Sequence, residues 1–85
     1  MRMPDPITIY STPNCAQCRM TYRILDAAHV TYQVVDVSCN EAALAYVQEL
    51  GYSQAPVVVL SDHEHWSGFR PDLLATLTNA TQHEN

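Results

Sequence analysis

The first half of the chain alternates between short β-type runs and longer helical stretches. Residues 7–10 (ITIY) are a run of β-branched and aromatic side chains that predicts a strand, and residues 11–14 (STPN) predict a tight turn after it. From Cys15 to about His29, apolar side chains recur at helical spacing with charged residues between them. The pattern therefore predicts an amphipathic helix that begins at Cys15.

A second strand and a second helix follow at once. Residues 31–37 (TYQVVDV) are rich in β-forming side chains and predict the strand. Ser38 lies three residues before Glu41, which is the spacing of a capping box, so we expect Ser38 to cap the next helix. The largely apolar residues 42–50 continue that helix to Gly51, a glycine placed where a helix commonly ends.

The second half of the chain changes character. Residues 56–60 (PVVVL) and 63–66 (HEHW) predict two short strands, and the two-residue turn at 61–62 joins them as a hairpin. A final helix is expected to begin at Pro71, because the fixed φ of proline suits a first helical turn. We expect the polar end of the chain, from Asn79, to fray.

The order β-α-β-α-β-β-α, with two cysteines at the first strand-to-helix turn, resembles the minimal thioredoxin fold, and this resemblance implies an α/β protein. In this fold a four-stranded mixed sheet is flanked by three helices. A chain of 85 residues has room for a single domain. We expect residues 1–80 to form that domain and residues 81–85 to be a frayed polar tail.

The charge balance narrows the choice of partners. The formal net charge is −5, and all four basic residues are arginines. Nucleic acids and anionic membranes attract clustered positive charge, so neither is an expected partner. No window approaches the roughly 20 apolar residues of a membrane span, and the N-terminus does not resemble a signal peptide. We therefore expect a cytoplasmic protein.

The cysteines carry the candidate chemistry. Cys15 and Cys18 form a close pair at the start of the first predicted helix, whereas Cys39 stands apart. Two thiols at this spacing can close a small disulfide ring, and a helix N-terminus favours a thiolate, so we expect a lowered pKa for Cys15. Cys15 would attack a substrate disulfide and Cys18 would then release the reduced substrate. Arg19 would add positive potential nearby.

Other interpretations of the cysteine pair stay open at this point. Both cysteines could be small buried residues without chemistry. A structural zinc ion needs four ligands, and beyond the pair the sequence offers Cys39 and scattered histidines. A metal cluster bridged between two chains through Cys15 is a further alternative. We expect no bound metal.

Three segments of the sequence carry a family resemblance: residues 13–18 (PNCAQC), 51–58 (GYSQAPVV) and 66–72 (WSGFRPD). Through them the chain resembles the NrdH-type redoxins, which are small glutaredoxin-like proteins. The resemblance implies a dithiol electron donor to the large subunit of a class Ib ribonucleotide reductase. It also implies re-reduction by thioredoxin reductase at the expense of NADPH. Since the flavin and nicotinamide would sit on that reductase, the resemblance implies no bound cofactor here.

The resemblance also implies where partners bind. Pro56 matches a cis-proline that flanks the disulfide and leaves neighbouring backbone free to pair with an extended substrate. Glutaredoxins carry a Gly-Gly glutathione site where this chain has a single Gly68, so we expect weak or no glutathione binding. The strand directions of this fold bring all three segments to one edge of the sheet. The residues implied to bind substrates and partners are Ala55, Pro56, Trp66, Ser67, Gly68, Phe69, Arg70 and Asp72.

The chain departs from the family pattern at two positions beside the cysteines. The family often has a basic residue at Thr12 and a valine at Ala16, so less positive charge is available to the Cys15 thiolate. Two rival functions follow from the same residues: a glutathione-dependent glutaredoxin, and a non-catalytic metal or iron–sulfur module.

Further side chains have both a functional and a structural interpretation. Cys39 is expected at the active-site edge, where it is either a regulatory thiol or a partly buried residue without a role. The histidines at 63 and 65 could share a metal, but solvated strand residues are the expectation. Tyr10 either packs beneath the active-site turn or belongs to the core. Arg19 and Arg23 form either a docking patch for an acidic partner or a solvated helix face.

Overall fold

The structure is a computed structural model that describes residues 7–61 and 64–83. It follows the predicted order of elements, with an added 3-10 turn at Val37–Cys39. The strands are β1 (Ile7–Ser11), β2 (Tyr32–Asp36), β3 (Val57–Ser61) and β4 (Glu64–Ser67). The helices are α1 (Ala16–Ala27), α2 (Glu41–Glu49) and α3 (Pro71–His83).

The four strands form one mixed sheet in the order β2-β1-β3-β4. Strands β1 and β2 are parallel and in register from Ile7 opposite Tyr32 to Ser11 opposite Asp36. Strand β3 runs antiparallel to β1, and β4 runs antiparallel to β3. This mixed sheet with its three helices confirms the predicted minimal thioredoxin fold.

Each face of the sheet buries its own hydrophobic cluster. Because side chains alternate along a strand, Val58 faces the opposite side from its neighbours on β3. Val58 and Ile9 pack with Leu25 of α1 and Leu74 of α3, and all four side chains are fully buried. The helix carrying the cysteines and the final helix therefore share one face of the sheet.

The opposite face is covered by α2. Val57 and Val59 of β3 pack against Val47. Tyr10 joins this layer, with its ring centroid 5.6 Å from that of Tyr46. Tyr10 is partly buried against this cluster, which favours the core interpretation of this residue.

The predicted capping box of α2 is wrong. The side-chain oxygen of Asn40 accepts the N–H of Ala43 at 3.0 Å, so Asn40 is the N-cap. Ser38 instead donates its hydroxyl and its N–H to Asp36 Oδ1, at 2.6 and 2.9 Å. The carboxylate at the end of β2 thus holds Ser38 in the 3-10 turn, and α2 begins after it.

Both α1 and α2 end in a left-handed residue. Gly51 ends α2 as predicted, with φ of 95°. His29 takes the corresponding position after α1, with φ of 60°. The next residue, Val30, donates its N–H to the carbonyl of Leu25 at 2.9 Å, which is the bond of a Schellman motif.

The second half differs from the prediction at its boundaries. Strand β4 ends at Ser67 rather than at Trp66, and residues 62 and 63 lie outside the described residues. Helix α3 continues to His83, beyond the point at which fraying is expected. Within the described ranges, no helix is both long and apolar enough to cross a membrane.

Candidate functional site

The cysteine pair lies at the first turn of α1. Cys15 is the N-cap of the helix, and its sulfur accepts the N–H of Cys18 at 3.1 Å. The two residues form a disulfide with their Cα atoms 5.2 Å apart. Asn14, immediately before them, has φ of 59°, a conformation that asparagine tolerates better than most residues. The turn therefore delivers Cys15 directly to the positive end of the helix.

The two sulfurs differ in how far solvent can reach them. Cys15 is partly exposed, whereas Cys18 is 2% exposed. The first turn of α1 contains no acidic side chain, so the helix N-terminus keeps its positive potential. An incoming disulfide can approach Cys15 but not Cys18. A thiolate at Cys15 would be stabilised by the N–H of Cys18 and by the helix dipole.

A cis peptide bond lies beside the pair. The bond between Ala55 and Pro56 is cis, as the resemblance implies. Pro56 is buried, and its carbonyl accepts the N–H of Gly68 at 2.8 Å. Within the described ranges, no backbone hydrogen bond occupies the N–H or C=O of Ala55. These two groups can pair with an added extended chain.

The first half of the segment 66–72 is hydrogen-bonded to the loop of residues 54–56, which we call the proline loop. Ser67 Oγ donates to the carbonyl of Gln54 at 3.3 Å, next to the bond between Gly68 and Pro56. The side chains of Trp66 and Phe69 are partly buried against the cluster shared by α1 and α3. The indole Nε1 of Trp66 is buried and has no hydrogen-bond partner among the described residues.

The second half of that segment starts α3. The carbonyl of Arg70 accepts the N–H of Leu74 at 2.9 Å. The Arg70 guanidinium donates two hydrogen bonds to the Asp72 carboxylate, with Nη2 3.0 Å from Oδ2. Both side chains are exposed, and the hydrogen bonds from Arg70 lower the pKa of the Asp72 carboxyl. This ion pair is accessible to a partner.

Gln17 was missed by sequence reasoning. Its side-chain Oε1 accepts the N–H of Phe69 at 3.0 Å, across 52 positions of sequence. This bond and the Gly68–Pro56 bond bring the cysteine turn, the proline loop and the segment 66–72 together, as expected. The only local signal for Gln17 was a long polar side chain between two cysteines.

A cavity of about 170 Å³ opens beside the proline loop, between that loop and α2. Its walls include Thr12, Gln48 and Ala55, and no charged side chain lines it. Thr12 stands where the family often has a basic residue. The cavity therefore has no cation for a ligand carboxylate.

Cys39 is exposed in the 3-10 turn, beyond the end of β2. Its Sγ lies 3.9 Å from Asp36 Oδ2. The Ser38 hydroxyl and N–H bonds lower the pKa of that carboxyl. Since β1 and β2 are parallel, Cys39 and the cysteine pair follow the same edge of the sheet. A regulatory role for Cys39 stays a prediction.

The other candidates separate in the structure. His65 is not a solvated strand residue: it is half-buried, and its Nδ1 lies 2.8 Å from the hydroxyl of Tyr52. His63 lies outside the described residues. Arg19 and Arg23 are both exposed on α1. Within residues 7–61 and 64–83, no three His, Cys, Asp or Glu side chains gather as ligands for one metal ion.

A disulfide-forming cysteine pair at the first helix of a thioredoxin fold, beside a cis-proline, defines a thiol–disulfide oxidoreductase. The family model for glutaredoxin matches residues 7–66. The Gene 56 protein of Mycobacterium phage D29 is 44% identical over 71 residues, covering 82% of this chain and 79% of that protein. The glutaredoxin-like protein NrdH of Salmonella typhimurium is 38% identical over 71 residues, covering 84% and 86%.

Solved structures give the same answer. The glutaredoxin-like protein NrdH-redoxin from Escherichia coli, which has a thioredoxin-like activity profile, matches with a TM-score of 0.80. It is 34% identical, and the match covers 86% of this chain and 95% of that one. The chain belongs to the glutaredoxin family, among its NrdH-type glutaredoxin-like proteins, and the resemblance drawn from the three segments is confirmed.

Proposed function

We propose that this protein is a dithiol electron donor that reduces the large subunit of a class Ib ribonucleotide reductase and is itself re-reduced by NADPH-dependent thioredoxin reductase. The observation that carries the proposal is the asymmetry of the pair at the N-terminus of α1. Cys15 is accessible and caps the helix, while Cys18 is buried behind it. The likeness to NrdH-redoxin, with its thioredoxin-like activity profile, supports the choice of partners.

The reaction is a pair of thiol–disulfide exchanges. The Cys15 thiolate attacks one sulfur of the partner's disulfide, and the partner's other sulfur leaves as a thiolate. Cys18 then loses its proton and attacks Cys15 Sγ, which breaks the mixed disulfide and releases the partner's second thiolate. Two electrons have passed to the partner, and the Cys15–Cys18 disulfide remains. Thioredoxin reductase supplies two electrons to reopen it.

The partner's chain is held beside the cysteines in this scheme. An extended segment pairs with the N–H and C=O of Ala55, next to Pro56, as a short added strand. The exposed groups of the segment 66–72 meet the partner on the other side, where Arg70 and Asp72 offer hydrogen bonds. Trp66 and Phe69 support that surface from the core.

Glutathione is a poor partner in this proposal. A carboxylate that leaves water needs a cation or several hydrogen bonds in return. The cavity beside Ala55 provides no charged side chain. The net charge of −5 also opposes an anionic tripeptide. The same charge supports the absence of nucleic-acid and membrane partners, and a cytoplasmic location fits a reaction that consumes NADPH.

A coupled assay tests the proposal. Purified protein is mixed with NADPH, thioredoxin reductase and a disulfide substrate, and the absorbance of NADPH is followed. We expect turnover that Cys15→Ser abolishes, and reduction of ribonucleotides when class Ib ribonucleotide reductase replaces the model substrate. Turnover only with glutathione and glutathione reductase would overturn the proposal. A bound metal or iron–sulfur chromophore after anaerobic purification would favour the binding-module alternative instead.

A further inference from the structure

The side chain of Gln17 crosses from the cysteine turn to a distant part of the chain. It lies between Cys15 and Cys18, yet its Oε1 accepts the N–H of Phe69 at 3.0 Å. Its own backbone is held firmly, because the hydroxyl of the fully buried Thr21 donates to the Gln17 carbonyl at 2.9 Å. The side chain therefore starts from a fixed helical turn.

The segment 67–70 has two other anchors, and both lead to the proline loop. Ser67 Oγ donates to the Gln54 carbonyl, and the N–H of Gly68 donates to the Pro56 carbonyl. In the part of the chain that the structure describes, the Gln17 bond is the hydrogen bond that ties the segment to the cysteine turn itself. Without it, the segment keeps its register on the proline loop but loses its direct link to Cys15.

We propose that Gln17 is a positioning residue for protein substrates: acting through the Phe69 N–H, it fixes the partner-facing segment 67–70 relative to Cys15. This inference rests on the proposed function, because it takes the segment 67–70 as part of the partner's contact surface. A protein partner spans Cys15 and the segment at once and so needs their relative placement. A small disulfide touches Cys15 alone and does not.

Loss of the bond between Gln17 and Phe69 should affect the position of the segment 67–70 more than the stability of the fold. Gln17 is exposed, so water can replace its carbonyl at the Phe69 N–H when the side chain is changed. The loss then costs little global stability, whereas the segment gains freedom to move. Substitution of Gln17 should consequently affect the reaction with proteins far more than the melting temperature.

Two variants isolate the acceptor atom. Gln17→Met keeps the length of the side chain but removes the oxygen, and Gln17→Glu keeps an acceptor oxygen. Pre-reduced protein is mixed with insulin as a protein disulfide and, separately, with a small aromatic disulfide, and the ratio of the two second-order rate constants is compared. Using the ratio cancels any effect of the glutamate charge on Cys15 reactivity. We expect the ratio to fall roughly three- to tenfold in Gln17→Met, the value of one hydrogen bond, and to be retained in Gln17→Glu.

Amide exchange gives a second readout that does not depend on the partner. The Phe69 amide should exchange with deuterium faster in Gln17→Met than in wild type, while Gln17→Glu keeps its protection. An unchanged rate ratio or unchanged Phe69 protection in Gln17→Met would overturn the role of Gln17. A wild-type protein that thioredoxin reductase does not reduce would instead overturn the proposed function, and the insulin ratio and Phe69 protection would still decide the role of Gln17.

Discussion

Gly68 lies between β4 and α3, and its N–H donates to the Pro56 carbonyl of the proline loop. Replacing Gly68 with alanine tests whether its backbone conformation is needed to hold the segment 66–72 at the cysteines. Gly68 has φ of 88°, and a Cβ built on it would lie 3.6 Å from Gln17 Oε1, which is an ordinary contact. The alanine methyl group therefore has room, but the backbone conformation at this position is unfavourable for alanine. A left-handed conformation costs an L-residue about 1–2 kcal/mol.

Part of that cost is offset in the unfolded chain. Replacing glycine by alanine removes about 0.4–1 kcal/mol of conformational entropy from the unfolded state, so the net loss of stability is about 1 kcal/mol. For a domain of this size, that loss lowers the melting temperature by about 4–8 °C. If the loop relaxes instead, the bond from the Gly68 N–H to Pro56 is lost at a similar cost of about 0.5–1.5 kcal/mol.

Gly51→Ala is the matched control. Gly51 has φ of 95°, and nothing lies within 4 Å of its added Cβ, so its stability cost has the same origin. Gly51 ends α2 at the first residue of the segment 51–58, and its N–H donates to the Gln48 carbonyl of that helix rather than to the cysteine turn or the segment 66–72. We expect both variants to melt lower by a similar amount, measured by circular dichroism, while only Gly68→Ala loses activity in the thioredoxin reductase assay. Equal loss of activity in both variants, or an unchanged melting temperature for Gly68→Ala, would refute the reasoning.

Three further predictions follow from single side chains. His29→Gly relieves the left-handed strain of an exposed residue and should raise the melting temperature by about 2–4 °C, a net gain of about 0.5 kcal/mol; a fall would contradict the Schellman assignment. Burial, followed by the hydrogen bond to Asp26, raises the pKa of Tyr32 to about 12. The unfolded chain therefore loses that proton first, so stability should fall as pH rises from 10 towards 12, and Tyr32→Phe should remove this step from urea unfolding curves. Trp66→Phe deletes an indole N–H that is buried without a partner among the described residues, so its unfolding free energy should stay within about 1 kcal/mol of wild type. Trp66→Ala should lose roughly 3 kcal/mol. Similar losses in both variants would refute this explanation.

The elements of the fold were predictable because their signals are local. The β-branched runs that become β1 and β3 and the helical spacing after Cys15 depend on near neighbours alone. The cap of α2 was not predictable in the same way. Ser38 and Asn40 are both good capping residues. Asn40 is the cap because the Ser38 hydroxyl donates to the Asp36 carboxylate instead of facing the helix.

The candidate site likewise combines residues that local sequence patterns predict with contacts that they do not predict. The cysteine pair and the cis-proline could be located from the sequence, because each belongs to a short recognisable segment. The bond from Phe69 to Gln17 joins residues 52 positions apart, and the bond between Tyr52 and His65 joins two elements. Such contacts depend on how the sheet places its loops, so no local pattern predicts them.

The N-cap of α1 has a consequence for turnover. The atom that closes the end of the helix is the sulfur of Cys15, which accepts the Cys18 N–H even as part of a disulfide. A thiolate and a mixed-disulfide sulfur also carry lone pairs, so we expect the same N–H to find an acceptor at every stage of the cycle. The N-terminus of α1 then keeps its cap in every redox state of the cysteines. Sulfur–sulfur bonds can therefore be exchanged during the catalytic cycle without a change in the surrounding backbone.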